Sequence, residues 1–271
     1  MKIIKINDIS IGSGKFCFIG GPCVMENEEL IFKTAEFLKN TTENLNIPFI
    51  FKSSFDKANR SSVDSFRGVG LKKGMEIFLK IKKTFNIPVL TDVNCVTQIP
   101  EVSSVVDVIQ IPAFLCSQTD LIVSAAETGL PVNVKKGQFI SPLEVKNIIE
   151  KVISTGNDKV LITERGTTFG YNNLVVDFRS LPIMEGFGYP VIFDGTHSVQ
   201  QPGGLGKASG GQRQFVAPLC RAAIAVGCSG IFLEVHPQPE KALSDGPNML
   251  SFEQAGALLK TLKEIEQIRY G

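Results

Sequence analysis

The stretch "NIPFIFKSS", residues 46–54, decides how this chain is organised, because its arrangement returns three more times. The segments "NIPVLTDVN" (86–94), "GLPVNVKKG" (129–137) and "GYPVIFDGT" (188–196) also join a turn residue, a proline, a short apolar run and a polar end. Proline is tolerated at the first residue of a strand because it costs no ladder hydrogen bond there. Short runs rich in Val, Ile and Phe are typical of strands in a parallel sheet covered on both faces.

Four further apolar runs share this shape without the proline: "FCFIGGPC" (16–23), "DVIQIPA" (107–113), "KVLITERG" (159–166) and "GIFLEVHP" (230–237). Amphipathic helical stretches lie between the runs, and several of them end in Gly, a common helix stop. Eight alternating β and α units predict an α/β fold, a (β/α)8 TIM barrel, with residues 251–270 as its last helix. We expect one domain over residues 1–271, in which residues 1–15 form a short hairpin that closes the bottom.

An open, doubly wound sheet is the alternative architecture. A sheet of that kind normally carries a glycine-rich dinucleotide turn after its first strand. The segment "GSGKF" (12–16) instead precedes the first predicted strand, and it does not match the GK[ST] pattern of a phosphate loop. We therefore interpret it as a turn.

Composition limits the classes of function. Apolar residues make up 43% of the chain and charged residues 20%, which allows a sizeable core. The net charge of +1 argues against a general nucleic-acid binder. No apolar run approaches the roughly 20 residues of a membrane span, and no signal-peptide pattern is evident. Six dispersed cysteines without a CxxC pattern favour a reducing cytoplasm over a disulfide framework, with most thiols in the core.

Polar residues end all eight predicted strands. The active site of a (β/α)8 barrel lies at the carboxyl ends of the strands, and the alternation of side chains selects those that face the axis. One residue per strand meets both conditions: Cys23, Lys52, Asp92, Gln110, Lys135, Arg165, His197 and Glu234. Any one of them could be a polar strand end that meets water, but eight in phase favour a shared site.

One part of this ring offers metal ligands. Closure of the barrel places strand 8 beside strand 1, so Cys23, His197 and Glu234 come from neighbouring strands, and Asp245 in "ALSDGPN" (242–248) can fold over them. A thiolate, an imidazole and two carboxylates suit Zn²⁺, Fe²⁺ or Mn²⁺. Two alternatives stay open: Cys23 as a core residue, and His197 as a general base.

The rest of the ring is cationic, with Lys52, Lys57, Arg60, Lys135 and Arg165. The segment "FKSSFDKANRSS" (51–62) adds hydroxyls and an amide, a mixture that suits a phosphorylated or carboxylated ligand. A solvated basic loop is the alternative for this stretch. So much positive charge at one mouth needs an anionic ligand, and two phosphates, or a phosphate and a carboxylate, would fit. We expect the cations to lie on the flank opposite the metal ligands.

These segments resemble the 3-deoxy-D-manno-octulosonate 8-phosphate synthase (2-dehydro-3-deoxyphosphooctonate aldolase) family over nearly the whole chain. The resemblance rests on "FKSSFDKANRSS", "QIPAFL" (110–115), "NVKKGQF" (133–139), "FDGTHSVQ" (193–200), "SGG" (209–211) and "FLEVHPQPEKALSDGPN" (232–248). The KANRSS segment is the most specific. The related aldolase that makes the seven-carbon shikimate precursor is similar in fold and in "GPC", but typically has KPR[ST] at that place.

The resemblance implies a (β/α)8 barrel, usually a homotetramer, that condenses phosphoenolpyruvate with arabinose 5-phosphate and releases phosphate, for lipopolysaccharide synthesis. It implies that phosphoenolpyruvate is held by Lys57, Gln110, Lys135 and Arg165. It implies that the pentose phosphate is held by Asn59, Arg60 and Ser61. Lys52 and Asp92 would line the reacting centre, where Asn59 and His197 are further catalytic candidates.

The resemblance also implies a cofactor. One branch of the family needs a divalent metal and has Cys in the first-strand motif, whereas the other branch has Asn there and needs none. Cys23 indicates the metal branch, with His197, Glu234 and Asp245 as the other ligands. Ser117 departs from the family pattern, because an Arg that reaches the pentose phosphate of a neighbouring subunit usually stands there. The absence of this Arg should weaken the contact with the pentose phosphate, and the identity of the second substrate therefore stays open.

Three alternative functions and one loop remain open at this point. The chain could be the seven-carbon synthase that uses erythrose 4-phosphate, a barrel that binds a phosphorylated ligand without turnover, or a metal-free enzyme. The glycine-rich stretch "QQPGGLGKASGG" (200–211) lies after strand 7 and could close as a lid or be a surface loop.

Overall fold

The structure is a computed structural model that describes residues 1–60, 62–203 and 210–270. Its central strands are β1 (Cys17–Gly21), β2 (Phe49–Lys52), β3 (Val89–Asp92), β4 (Val108–Ile111), β5 (Val132–Lys135), β6 (Val160–Glu164), β7 (Val191–Asp194) and β8 (Gly230–Glu234). The helices are α1 (Glu28–Asn44), α2 (Leu71–Phe85), α3 (Ile99–Ser103), α4 (Thr119–Glu127), α5 (Val145–Ile153), α6 (Ser180–Glu185), α7 (Val216–Val226) and α8 (Phe252–Tyr270).

The eight strands close into a parallel barrel in chain order. Strand β8 pairs with β1, so that Glu234 lies opposite Gly21. Each consecutive pair of strands is joined through a helix, which is the connection that parallel strands need. The predicted (β/α)8 barrel is confirmed, and the open doubly wound sheet is excluded.

Prolines mark the starts of four strands, as the repeated sequence pattern predicts. Pro48, Pro88, Pro131 and Pro190 directly precede β2, β3, β5 and β7. Their carbonyl groups accept hydrogen bonds of 2.8–3.1 Å from residues of the neighbouring strands. The missing proline N–H costs nothing at these positions, because the ladder uses only the carbonyl there.

The lower half of the barrel interior is apolar and is closed by a hairpin. Strands Ile4–Ile6 and Ile9–Ile11 pair antiparallel. Ile4, Ile6 and Ile11 pack in one cluster with axis-facing side chains of the barrel, among them Ile50 and Phe232. The predicted N-terminal hairpin is therefore present, and its side chains fill the end of the barrel remote from the strands' carboxyl termini.

Side-chain alternation separates the outer core from the polar upper interior. On β5, Val132 and Val134 pack in the large cluster that includes the helices. Asn133 and Lys135, on the opposite face of the strand, reach partners on other strands across the interior. The pleat thus places an apolar layer low in the barrel and a polar layer above it.

Two short helices were not predicted from the sequence. Helix α3 has five residues and α6 has six, too few to show an amphipathic repeat. Five of the six cysteines are buried and Cys95 is exposed, in line with the expectation that most thiols lie in the core. Among the described helices, none is both long and apolar enough to cross a membrane.

Candidate active site

A cavity of about 290 Å³ opens at the carboxyl ends of the strands. It brings together ten of the residues singled out in the sequence: Lys52, Lys57, Asn59, Arg60, Asp92, Gln110, Lys135, Arg165, His197 and Asp245. Cys23 and Glu234 are fully buried and contact residues of this wall. Ser61 lies outside the described residues. Residues from all eight strand ends thus meet around one pit.

Three side chains form a possible metal site. One ligand atom each of Cys23, Glu234 and Asp245 lies within 4.8 Å of the others. The imidazole of His197 stands at the edge of this group, with Nε2 at 3.6 Å from Glu234 Oε1 and 3.9 Å from Asp245 Oδ2. The four donors come from the ends of β1 and β8 and from the loops after β7 and β8.

The chemistry of this group fits a divalent cation. Both carboxylate oxygens of Glu234 are buried, and within the described chain neither accepts a hydrogen bond. A buried carboxylate without hydrogen bonds is costly, whereas a bound cation would satisfy it. Burial raises the pKa of the Cys23 thiol well above its ordinary value, and Glu234 raises it further. Metal binding at these residues would therefore release the thiol proton.

Asp194 fixes the orientation of His197. Its Oδ2 lies 2.8 Å from His197 Nδ1, and its Oδ1 accepts the backbone N–H groups of Thr196 at 3.1 Å and His197 at 2.9 Å. Nε2 is consequently turned towards the carboxylates of the possible metal site. A histidine whose second nitrogen meets a carboxylate in this way is typical of metal ligation.

Asp194 was missed in the sequence, although a signal for it exists. It follows Ile192 by two residues and so shares its inward phase. It also ends β7 as Asp92 ends β3. In "DGTH" (194–197) the prediction selected His197 and passed over Asp194, the carboxylate that positions it.

Lys135 is a buried cation of the cavity, with 5% of its surface exposed. Its ammonium donates a hydrogen bond to Asp194 and stands 3.3 Å from the centroid of the Phe232 ring. Burial lowers the pKa of Lys135 to about 8, and Asp194 opposes this shift. Burial alone would raise the pKa of Asp194, but His197 and Lys135 hold it well below its usual range. One carboxylate thus serves both a cation and an imidazole.

A second buried hydrogen-bond network connects Lys52 to Asp92 through Ser54. Lys52 Nζ donates to Ser54 Oγ at 2.9 Å, and Ser54 Oγ in turn donates to Asp92. Burial opposes ionisation of Asp92, but Lys52 and Lys57 lower its pKa below the ordinary value. Ser54 is a further residue that the sequence analysis did not select.

The expected separation of cations from metal ligands is wrong. Lys52 Nζ and Lys57 Nζ lie 3.8 Å and 3.7 Å from Glu234 Oε1. Closure puts β8 next to β1, and β1 next to β2, so the long lysine side chains from β2 and its loop reach the carboxylate. Acids and cations are interleaved on this side of the pit.

A chain of hydrogen bonds sets the amide of Gln110. Thr163 Oγ1 donates to Asn133 Oδ1 at 2.7 Å, and Asn133 Nδ2 donates to Gln110 Oε1 at 3.0 Å. The oxygen of Gln110 is therefore occupied, and its NH₂ group is the part left to meet a ligand in the cavity.

Arg165 directly follows β6 and makes contacts only with neutral acceptors among the described residues. It donates to Gln200 Oε1 at 2.9 Å and to His197 O at 3.3 Å. Gln200 also donates to Asp245 Oδ1 at 3.1 Å and so joins Arg165 to the possible metal site. Burial lowers the pKa of Arg165. An arginine stays charged in proteins, so its charge is available to an anion.

Arg60 stands at the mouth of the cavity, where Asn59 also lines the wall. Its NH1 donates to Ser244 Oγ at 2.5 Å and its NH2 to Leu243 O at 3.2 Å. Ser117, in contrast, is exposed and is not part of the wall. Its backbone oxygen accepts a hydrogen bond from Lys151 at 2.9 Å.

The glycine-rich stretch is described only in part. Gln200–Gln201 pairs antiparallel with Gly210–Gly211, and Pro202 and Gly203 line the cavity. Residues 204–209 lie outside the described residues. A lid at this place stays a prediction.

Known proteins match this chain over its full length. The family model described as the DAHP synthetase I family matches residues 1–270. The 2-dehydro-3-deoxyphosphooctonate aldolase of Geotalea uraniireducens is 54% identical over 269 residues, which cover 99% of each chain. That of Dichelobacter nodosus is 55% identical over 266 residues, 98% of this chain and 96% of its own. That of Francisella tularensis subsp. holarctica is 53% identical over 266 residues, 98% of this chain and 97% of its own. The chain therefore belongs to the DAHP synthetase I family, because the family model and these relatives match it over nearly its whole length.

Proposed function

We propose that this protein condenses phosphoenolpyruvate with D-arabinose 5-phosphate and water, giving 3-deoxy-D-manno-octulosonate 8-phosphate and inorganic phosphate. The observation that carries the proposal is a single pit in which five cations surround buried carboxylates and a thiol. Full-length relatives at 52–55% identity, all named 2-dehydro-3-deoxyphosphooctonate aldolase, support the same reaction. The product would serve lipopolysaccharide synthesis in the cytoplasm.

The deep half of the cavity suits phosphoenolpyruvate. Lys135, Arg165 and Lys57 can meet its phosphate and carboxylate, and the NH₂ group of Gln110 can donate to either. In the part of the chain that the structure describes, Arg165 contacts neutral acceptors alone, so an anion adds charge-assisted hydrogen bonds without displacing a carboxylate.

The outer half suits the pentose phosphate. Arg60 and Asn59 lie at the mouth, and Ser61 would follow them in the chain. The aldehyde end would then point inward, towards Lys52 and Asp92. This arrangement places the reacting carbon between the deep anion site and the mouth.

Cys23, His197, Glu234 and Asp245 would hold a divalent metal ion, and the chain would then belong to the metal-dependent branch. When bound, a divalent metal polarises a carbonyl oxygen or lowers the pKa of a water molecule. Two observations support this assignment: the buried oxygens of Glu234 accept no hydrogen bond from any described residue, and Nδ1 of His197 contacts Asp194. His197 is then a metal ligand first, and its role as a general base is the alternative.

The proposed reaction forms a C–C bond and a C–O bond to water, and it breaks the C–O bond to phosphate. C3 of phosphoenolpyruvate attacks the aldehyde carbon, water adds at C2, and the C2–O bond to phosphate then breaks. The cations stabilise charge on the phosphate and carboxylate in a site with little water. Lys52, which is hydrogen-bonded through Ser54 to Asp92, can supply a proton to the alkoxide oxygen that the attack creates.

A two-sugar assay tests this function. Phosphate release from phosphoenolpyruvate is measured with arabinose 5-phosphate and with erythrose 4-phosphate, before EDTA, after EDTA, and after adding Zn²⁺, Fe²⁺ or Mn²⁺. We expect release with arabinose 5-phosphate, loss with EDTA and recovery with metal. Preference for erythrose 4-phosphate would indicate the seven-carbon synthase, and full activity in EDTA a metal-free enzyme. No release with either sugar would favour a binding protein.

We further propose a homotetramer. Large apolar side chains stand exposed in the segments that follow β5 and β6, among them Phe139 at 57%, Phe169 at 72% and Tyr171 at 98% exposure. Exposed apolar surface of this kind marks protein–protein contacts. Light scattering coupled to size-exclusion chromatography should give a mass near four chains, and a mass of one chain would contradict the proposal.

A further inference from the structure

We propose, building on the function proposed above, that Ser244 is a positioning residue that joins the pentose-phosphate cation Arg60 to the sulfur of Cys23. Ser244 is 3% exposed and lies in the loop after β8, directly before Asp245. It was not among the residues selected from the sequence. Its hydroxyl touches both parts of the site at once.

Two short contacts define the link. Arg60 NH1 donates to Ser244 Oγ at 2.5 Å, and Ser244 Oγ lies 3.2 Å from Cys23 Sγ. Cys23 Sγ also lies 3.2 Å from Asp245 Oδ2. A guanidinium can only donate, so in the hydrogen bond between Arg60 and Ser244 the serine oxygen must be the acceptor.

The directions of the other two contacts follow from counting protons. A thiol has one proton, so Cys23 cannot donate to both Ser244 and Asp245. The carboxylate of Asp245 is the stronger acceptor and takes the S–H. The sulfur also stands in donor geometry to Ser244 Oγ, but that oxygen already accepts from Arg60. Once the thiol proton is released, only the O–H of Ser244 can donate in this contact. With a thiolate at Cys23, the hydrogen bonds therefore run from Arg60 to Ser244 and from Ser244 to the sulfur.

Hydrogen bonds to the neighbouring residue Leu243 fix the backbone around Ser244. Leu243 N–H donates to Glu26 Oε1 at 3.0 Å, and the same oxygen lies 3.5 Å from His236 Nε2. Leu243 O also accepts from Arg60. These contacts fix the loop that carries both Ser244 and Asp245, so the hydroxyl does not depend on its own hydrogen bonds for its place.

The link from Arg60 through Ser244 to Cys23 should couple the binding of the pentose phosphate at Arg60 to the state of the Cys23 sulfur. An O–H that points at the sulfur stabilises a thiolate there, and hydrogen bonds in a chain polarise one another. A phosphate bound to Arg60 weakens the pull of the guanidinium on Ser244 and so changes the hydrogen bond to the sulfur. By reciprocity, a change at the sulfur alters the affinity for the phosphate.

The experiment uses Co²⁺ as the metal probe and arabinose 5-phosphate as the ligand probe. Thiolate ligation of Co²⁺ gives a charge-transfer absorption band that reports the electron density on the sulfur. In the wild-type protein we expect this band to shift when arabinose 5-phosphate is added. In Ser244→Ala the band should be displaced before addition and should not respond to the sugar, whereas Ser244→Thr, which keeps the hydroxyl, should respond.

A second measurement needs no metal. Calorimetric titration of metal-free protein should show arabinose 5-phosphate binding about tenfold or more weaker in Ser244→Ala, because a hydrogen bond to a charged group is lost. In a double-mutant cycle with Arg60→Ala the two effects should not add. Ser180→Ala is the matched control: Ser180 is 2% exposed, and its hydroxyl has no partner among the described residues.

Three results would overturn the proposal: a sugar-dependent band shift that survives in Ser244→Ala, sugar affinity equal to that of Ser180→Ala, or additive effects in the cycle. Each variant is first compared with the wild type by thermal unfolding. Failure of the proposed function is distinguishable, because wild-type protein would then release no phosphate with arabinose 5-phosphate, while the Co²⁺ band of Ser244→Ala, recorded before any sugar is added, would still be displaced from that of the wild type.

Discussion

Lys135 donates a hydrogen bond to Asp194 inside the barrel, and the two side chains are 6% and 0% exposed. The same carboxylate holds Nδ1 of His197. A lysine of the proposed phosphoenolpyruvate site and a histidine of the possible metal site therefore share one anion, and perturbing that anion should affect both.

Asp194→Asn should destabilise the protein. The change leaves the ammonium of Lys135 buried without its counter-ion, and breaking a buried pair from one side costs about 3 kcal/mol. Urea unfolding measures the difference in the free energy of unfolding. Asp158→Asn is the control, because the Lys2–Asp158 pair is exposed and solvent screens it, so its loss should change the stability much less. Equal losses in the two variants would contradict a structural role for the buried pair.

Binding of phosphoenolpyruvate should weaken as the pH rises through about 8 in metal-free protein. The pKa of Lys135 is lowered to about 8 by burial, so its ammonium is charged below that pH and neutral above it. The phosphate of the ligand has its second pKa near 6 and keeps its charge over this range. Calorimetric titration between pH 7 and pH 9.5 should show the dissociation constant rising, by up to about tenfold per pH unit.

Lys135→Arg provides the control for this pH dependence. A guanidinium stays charged throughout the range, so the rise in the dissociation constant should disappear or become much smaller. An identical pH profile in the variant would assign the titration to another group.

Glu234→Gln should remove bound metal. Both carboxylate oxygens of Glu234 are buried and accept no hydrogen bond among the described residues, and an amide is a poor replacement for a carboxylate ligand. Metal content per chain is measured by elemental analysis after loading and desalting. Glu164→Gln is a matched control, because Glu164 is also a buried glutamate at a strand end and lies 3.5 Å from the Lys136 ammonium. Loss of metal from the control alone would refute the assignment.

Asn133→Asp should raise the Michaelis constant for phosphoenolpyruvate about tenfold. The new carboxylate has no N–H for Gln110 Oε1, so the Gln110 amide is expected to turn, donate to the aspartate and present its oxygen to the anion. The constant for arabinose 5-phosphate should change less. Asn157→Asp is the control, since Asn157 donates to the backbone oxygens of Ala126 and Leu130, away from the cavity.

The fold was predictable because its signals are local and repeated. Each proline–apolar–polar segment gives one strand, and alternation along "VNVK" is enough to place Asn133 and Lys135 inside and the valines outside. The gathering of Lys52, Asp92, Gln110 and Lys135 in one pit follows from that alternation once the barrel is accepted. Their roles in binding and catalysis remain predictions that the assays above test.

Other features of the site could not be predicted, because they depend on side-chain reach and on closure. The approach of Lys52 and Lys57 to Glu234 depends on how far two long side chains extend across three neighbouring strands. Ser54 and Ser244 are neutral residues without a charge pattern, and their importance arises only from the groups that they touch. Helices α3 and α6 are too short to leave a periodic signal.

The N-terminal hairpin also bears on the kinetics of the enzyme. Ile4, Ile6 and Ile11 fill one end of the barrel. In the part of the chain that the structure describes, substrates and products therefore enter and leave through the same opening, at the carboxyl ends of the strands. Lys135 lies far inside it and Arg60 at its rim, so a pentose phosphate seated first would obstruct the way to the deeper compartment. We therefore expect a compulsory sequence, with phosphoenolpyruvate entering before arabinose 5-phosphate, and a pentose analogue should inhibit by trapping the inner substrate rather than by replacing it.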